Sequence, residues 1–210
     1  MTEWDRILPE RVYSPEEPDQ TVVDFTGLLR RRRKNLTLDL ACGAGRHVVY
    51  LAQQGLAAAG ADLSRMGLKM TRKKLVELGL TAALVRLAMN NLPFVDSSFD
   101  AVTCTRAIYH QRVQGIQQTL TEIHRVLKKD GAVLVDFLSK RTHSYAKGVK
   151  IEAETFAETE GHERGILHHY TDREELQSLF KDFRIIDIDL RETGDEGYLR
   201  SRFTVQAAKS

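Results

Sequence analysis

Two glycines and two acidic residues carry most of the chemistry this chain displays. Asp39 lies inside the apolar run Leu36-Thr-Leu-Asp-Leu-Ala41. That run leads through Cys42 into Gly43-Ala44-Gly45 and then Arg46-His47-Val48-Val49. It reads as a short strand, a tight turn and the start of a helix. Glycine lacks a Cβ and tolerates positive φ, so such a turn lets a ligand press against bare backbone. The helix start offers N–H groups without intrahelical partners, suited to a polar or anionic ligand end. Asp62, in Ala59-Gly-Ala-Asp-Leu-Ser64, falls where a second strand would end. An acidic residue there accepts hydrogen bonds from both hydroxyls of a ribose. Turn and carboxylate together make a site for a cofactor built on a nucleoside.

A dinucleotide site would carry G-x-G-x-x-G, and here Val48 stands at the third glycine's place. Asp39, four positions before the first glycine, is also foreign to that pattern and suits a ligand with an ammonium group. The residues Leu38-Asp-Leu-Ala-Cys-Gly-Ala-Gly-Arg-His47 resemble motif I of the class I S-adenosylmethionine-dependent methyltransferases, and Asp62 matches that family's ribose-binding acid. Asn91-Leu-Pro-Phe-Val-Asp-Ser-Ser-Phe-Asp100 resembles its "LPF-x-D-x-S-F-D" segment. Arg125-Val-Leu-Lys-Lys-Asp-Gly131 resembles its "RVL-K-P-x-G" turn. The three motifs fall in order over residues 36–137. The pattern breaks at Ala88, where the family usually places an Asp that accepts from the adenine amino group.

The resemblance implies S-adenosylmethionine as cofactor and a small-molecule methyl acceptor. By the same resemblance, Asp39, Ala41, Gly43 and Gly45 surround the methionine end, with Arg46 at the helix start. Asp62 and Leu63 hold the ribose, Met89 and Asn90 the adenine. Thr105 and Arg106 flank the sulfonium. Methyl transfer is an in-line displacement in which the cofactor carries the activated group, so the protein mainly holds two partners together. A proton acceptor is needed only if the acceptor must lose a proton. The segment Thr105-Arg-Ala-Ile-Tyr-His110 supplies the catalytic candidates Arg106, Tyr109 and His110. His143, His168 and His169 are further candidates for a base, the role for which histidine is the usual residue type. His168 and His169 are strand neighbours, so at most one faces the site. Arg141 and Tyr145 are further candidates for holding an acidic or phenolic acceptor.

These residues need a frame. Strands are expected at 37–41, 56–61, 82–87, 100–104 and 131–137, and helices at 46–54, 64–78 and 115–128. Alternation of this kind argues for a parallel sheet with helices on both faces. A helix over 172–180 follows, with Thr171 and Glu174 as a capping box. Phe183–Leu190 and Phe203–Ala208 then form an antiparallel hairpin. The expected fold is a doubly wound α/β sheet of seven strands, mostly parallel with an antiparallel last strand. One methyltransferase domain spans 1–210. Residues 1–34 are an extended arm and a helix from about Asp19, 35–138 the cofactor-binding core, 139–170 a lid-like insertion of two strands, and 171–210 the closing helix and hairpin.

Composition narrows the function classes. Thirty-one basic and 29 acidic residues leave a net charge of +2, which disfavours a dedicated nucleic-acid binder. The exception is Arg30-Arg-Arg-Arg-Lys34, read as a solvated helix end or as a phosphate-docking patch for an RNA or protein methyltransferase of the same fold. A binding module that keeps the cofactor pocket without catalysis is a further alternative, raised by Ala88. The two cysteines, Cys42 and Cys104, lack metal-ligand spacing and read as reduced core residues. No apolar run spans a bilayer, and Met1-Thr-Glu-Trp-Asp5 lacks the features of a leader. A cytoplasmic protein, monomer or homodimer, is expected, with no metal and no membrane partner.

Overall fold

The computed structural model describes residues 2–10, 13–195 and 197–210. Met1, Arg11 and Val12 of the expected arm, and Glu196 between the last strands, lie outside them. Strands β1 (Leu36–Leu40), β2 (Ala57–Asp62), β3 (Ala83–Arg86), β4 (Phe99–Cys104) and β5 (Leu127–Ser139) are parallel, in the order β3-β2-β1-β4-β5. Strand β10 (Arg200–Lys209) runs antiparallel along β5 and is flanked on its other side by β9 (Phe183–Thr193). These seven strands and their one reversed member match the expected sheet.

Strand alternation divides the interior. Leu38, Leu40, Val102, Cys104, Val133 and Val135 point to one core, closed by α5 (Val113–Val126) and α6 (Arg173–Leu179). Ala58, Ala101, Ala132 and Leu134 point to the other, closed by α2 (Gln20–Arg31), α3 (Arg46–Gln53) and α4 (Arg65–Glu77). A residue that alternates with Leu38 and Leu40 therefore faces the second core. That rule places Asp39.

Small residues let the helices come close. A Cβ on Gly60 of β2 would lie 2.7 Å from Val48 Cγ2 of α3. The close helix–strand approach that the missing third glycine would have allowed is thus supplied from the strand side.

Three local expectations are corrected. The arm is not merely extended: α1 (Glu3–Ile7) opens it, with Thr2 and Asp5 as a reciprocal capping box. The insertion holds three strands, because the chain reverses at Ala153–Glu154, where Glu154 has φ 58°. This splits the expected strand into β6 (Val149–Glu152) and β7 (Thr155–Ala157), ahead of β8 (Leu167–Thr171). Helix α6 is capped by Asp172, not Thr171. The Asp172 carboxylate accepts from the Glu175 N–H, and Glu175 is itself drawn to His169.

Strand β8 extends the sheet at the end of β5 through Leu138 and Ser139. Leu138 also pairs with Arg202 of β10, so β8 lies on the opposite edge of β5, the one β4 leaves free beyond Val135. The insertion therefore grows from the carboxyl edge of the parallel strands.

Gly45, at the head of α3, has φ 82°, and a Cβ there would lie 2.4 Å from the Thr71 side chain. Gly79 has φ 65° with open space around it. Gly45→Ala is expected to lower stability by more than about 2 kcal/mol, the left-handed cost plus the clash. Gly79→Ala should lose only about 1 kcal/mol. Thermal unfolding of the two variants measures the difference.

Candidate active site

Four strand ends and their loops surround a cavity of about 460 Å³. It opens at the switch point where the chain order reverses between β1 and β4, the usual ligand position in such sheets. The turn after β1 is held by Asp62 at the end of β2. One Asp62 oxygen accepts from the Gly43 N–H at 2.8 Å, the other from the Ser64 N–H at 2.7 Å. Burial pushes this carboxyl's pKa up, and the two N–H groups oppose the shift. The Thr71 hydroxyl of α4 donates to the Gly43 carbonyl at 3.0 Å, so turn and helix are locked from both sides.

Beneath the turn sits a second carboxylate. Asp39 is 1 % exposed; its Oδ1 accepts from the Thr103 hydroxyl at 3.0 Å, and its Oδ2 has no partner. Burial raises its pKa to about 7. His47 lies over it, with Nδ1 4.0 Å from Asp39 Oδ1. His47 Nε2 accepts from the Asp19 N–H at 3.2 Å, so in the neutral ring the hydrogen is on Nδ1, facing Thr105 Oγ1 at 3.2 Å. Burial lowers the His47 pKa to about 3, which keeps the ring neutral.

Asp19 joins three segments. Its carboxylate pairs with Arg46 of α3 at 2.6 and 3.0 Å, and with Arg106 beyond β4 at 2.6 Å. Arg106 sits at φ 54°, and its backbone N–H donates to the buried Asp136 of β5. A non-glycine residue in this region costs about 1–3 kcal/mol, supplied by its surroundings. From that bend the chain delivers Tyr109 and His110 to the cavity. The Tyr109 hydroxyl accepts from Arg202 of β10 at 2.6 Å, and burial lifts its pKa to about 12. His110 Nδ1 faces the Leu167 carbonyl at 3.0 Å and must carry the hydrogen, leaving Nε2 as a lone-pair acceptor. Burial lowers the His110 pKa to about 3.

The arm and the insertion narrow the mouth. The Asp5 carboxylate accepts from the Ser64 hydroxyl at 2.7 Å and the Met66 N–H at 3.0 Å, which docks α1 on the head of α4. Trp4 packs edge-on to His110, centroids 4.8 Å apart. At one side of the opening, Arg6 donates to the His162 carbonyl at 2.9 Å, and Glu10 meets the His162 ring at 2.7 Å. Glu163 from the same loop lines the cavity, with its carboxylate 3.2 Å from His168.

A family model described as "Methyltransferase domain" matches residues 37–131, the stretch that builds the turn, Asp62 and the strand-four end. Residues 37–131 of this chain thus resemble a methyltransferase domain, in sequence and in the fold around it. An uncharacterized methyltransferase of Synechocystis is 35% identical over 100 residues, 47% of this chain and 45% of that protein. A ubiquinone biosynthesis O-methyltransferase of Alkalilimnicola ehrlichii is 28% identical over 149 residues, 68% of this chain and 57% of that one. The matches thus span about half the length of these relatives. The crystal structure of an S-adenosylmethionine-dependent methyltransferase from Methanosarcina mazei superposes with a TM-score of 0.74 at 21% identity. It covers 84% of this chain and 92% of that one.

Within residues 37–131, twelve of the thirteen residues expected at the site line the cavity, from Ala41 to His110. Asp39 does not, because strand alternation turns it under α3. His168 and His169 are also off the lining: His168 is clamped between Glu158 and Glu163, and His169 between Thr155 and Glu175. Arg141 pairs with Glu192 and Tyr145 with Glu154, both away from the cavity. Ala88 lines the cavity beside Met89, Asn90 and Gln111. The Gln111 amide donates to the Met89 sulfur, the Ile108 carbonyl and the Thr119 hydroxyl. Sequence reasoning missed Asp19, His47, Glu163 and Arg202. His47 carried a signal, since it follows Arg46 in the first turn of α3. Among the described residues no three acidic, His or Cys side chains converge to hold a metal.

The raised Asp39 pKa has a thermodynamic sign. Between about 3.8 and about 7 the folded state holds a proton that the unfolded chain has released. That contribution is present at low pH and is lost as pH rises through 7, by up to about 1.4 kcal/mol per pH unit. Asp39→Asn mimics the neutral form, so its stability relative to the native protein should improve from pH 5 to pH 8. Urea midpoints at the two pH values test this. A pH-independent difference would show that the carboxyl is not held protonated.

Proposed function

We propose that the protein transfers a methyl group from S-adenosylmethionine to a small-molecule acceptor held in the cavity. The narrowed mouth carries this reading: α1 and the Glu158–Gly165 loop meet through His162 at one side of the opening, which favours a small ligand over a folded macromolecule. The ubiquinone-biosynthesis relative, named for O-methylation, supports a small acceptor. The chain then works as one unit, 1–210, with 1–34 and 139–170 as the walls of a core at 35–138 and 171–210 as its closing helix and strands. Its buried free thiols, Cys42 and Cys104, suit a cytoplasmic setting.

The residues fit the cofactor in three respects. Gly43 and Gly45 line the cavity with bare backbone at φ 51° and 82°. Each Asp62 oxygen accepts one N–H and keeps a lone pair for a ribose hydroxyl. Asp39 Oδ2, buried without a partner behind the turn, leaves one polar atom that a bound ligand or its water would satisfy. In this reading Ala41 and Arg46 flank the methionine end, and Arg46 is fixed by Asp19. Leu63 borders the ribose, Met89 and Asn90 the adenine, and Thr105 and Arg106 the sulfonium. Bound S-adenosylmethionine supplies a methyl group activated by its sulfonium. His110, held neutral by burial, offers its Nε2 lone pair as a hydrogen-bond acceptor to the X–H of a methyl acceptor and so orients it, while Tyr109 and Trp4 shape the space around it.

Calorimetry should show S-adenosylhomocysteine binding and no NAD binding. Asp62→Ala should weaken that binding by about 1.5–3 kcal/mol, the range for hydrogen bonds to a charged group. Binding of NAD alone would overturn the cofactor assignment.

The docking alternative has its own test. Arg30–Lys34 ends α2 and precedes β1, so it stands a strand length, about 17 Å, from the cavity edge. Gln at all five positions should leave S-adenosylhomocysteine binding unchanged, and any methyl transfer to cell RNA insensitive to salt. Transfer to RNA that falls steeply with salt and with these substitutions would establish phosphate docking and displace the small-molecule reading.

A further inference from the structure

Three arginines line the cavity: Arg46, Arg106 and Arg202. The first two have their guanidinium groups engaged by Asp19 at 2.6 Å. Arg202 differs. Its Nη1 donates to the Tyr109 hydroxyl at 2.6 Å, and the same nitrogen lies 3.7 Å from Asp136, beyond hydrogen-bond length. Among the described residues its Nε and Nη2 have no hydrogen-bond partner, and neither is among the buried unpaired atoms. Its side chain is 35 % exposed and lines the cavity. The guanidinium carbon stacks 5.1 Å from the Tyr109 ring centroid, which fixes the plane of the fork.

The surrounding charges leave this fork available. Glu163 shares the cavity, but its carboxylate is 3.2 Å from His168 Nε2. Asp136 gives one oxygen to the Arg106 backbone N–H and sets the other 3.7 Å from Arg202 Nη1, so it faces the nitrogen already used by Tyr109 and leaves Nε and Nη2 open. The neighbouring walls are flat and aromatic: Trp4, Tyr13, Tyr109 and His110.

We propose that Arg202 is the specificity-determining residue of the acceptor site, reading a carboxylate on a planar aromatic acceptor. A guanidinium held in one plane with two open N–H groups matches a two-oxygen anion bidentately. The aromatic walls hold the ring that carries the anion, and His110 lines the same cavity. The proposal rests on the reading that the glycine-turn half of the cavity holds the cofactor, which leaves the Arg202 half for the acceptor.

The test uses the full chain saturated with S-adenosylhomocysteine and three probes of one shape: benzoate, benzamide and benzylamine. Ligand-observed NMR titration should show benzoate binding at least tenfold more tightly than either of the others. Arg202→Gln should lose that preference while S-adenosylhomocysteine affinity stays within twofold, and Arg202→Lys should restore part of it. Equal binding of benzoate and benzamide, tighter binding of benzylamine, no benzoate binding, or benzoate binding untouched in Arg202→Gln would each overturn the proposal. If Arg202→Gln fails to fold, the probe ranking on the native chain still decides. If S-adenosylhomocysteine itself does not bind, the cofactor reading fails, a result distinct from any failure at Arg202.

Discussion

A buried carboxylate is costly unless its oxygens are used, and Asp62 uses both. One oxygen holds the turn after β1 and the other holds the head of α4. Ser64, whose N–H is so engaged, turns its own hydroxyl to Asp5 and so carries the constraint into the N-terminal arm. The cavity floor, one wall and the arm that covers it therefore hang on one side chain. Hydrogen bonds to charged groups contribute about 1.5–3 kcal/mol each and offset part of the desolvation that burial imposes, which still leaves the carboxyl's pKa raised.

Asp19 plays the matching part on the other side. It neutralises two arginines that would otherwise repel each other across the turn, and its backbone N–H sets the His47 tautomer. The neutral ring of His47 then covers Asp39, whose carboxyl is itself pushed toward its neutral form. The layer beneath the turn is thus low in charge, while the layer facing the cavity keeps Asp62 and Arg202. A site built this way places its charge where a ligand meets it.

Much of this was legible in the chain. The strand, the glycine turn and Asp62 are local features, and their types and spacing state their own geometry. The position of Asp39 was legible too, had alternation with Leu38 and Leu40 been followed to its end: the side chain turns away from the cavity. Arg202 was not legible. It stands 93 positions from Tyr109, and only the antiparallel register of β10 on β5 brings the two together. His168 and His169 misled because their residue type suggested chemistry, whereas each is held by a carboxylate from a neighbouring segment. Short-range capping was misread at Thr171 because Glu175, not Glu174, faces back into the fold.

Strand β10 is last in chain order but not last in space; it lies between β5 and β9. Until it is made, residues 132–138 of β5 present an apolar edge with unpaired N–H and C=O groups. Strand β9 cannot shield that edge, since its own partner is also β10. During synthesis the half-built sheet is therefore open along the seam that later supports Asp136 and Arg202. The edges of β5 and β9 both wait on β10, so this seam is where wrong pairing can start in an incomplete chain.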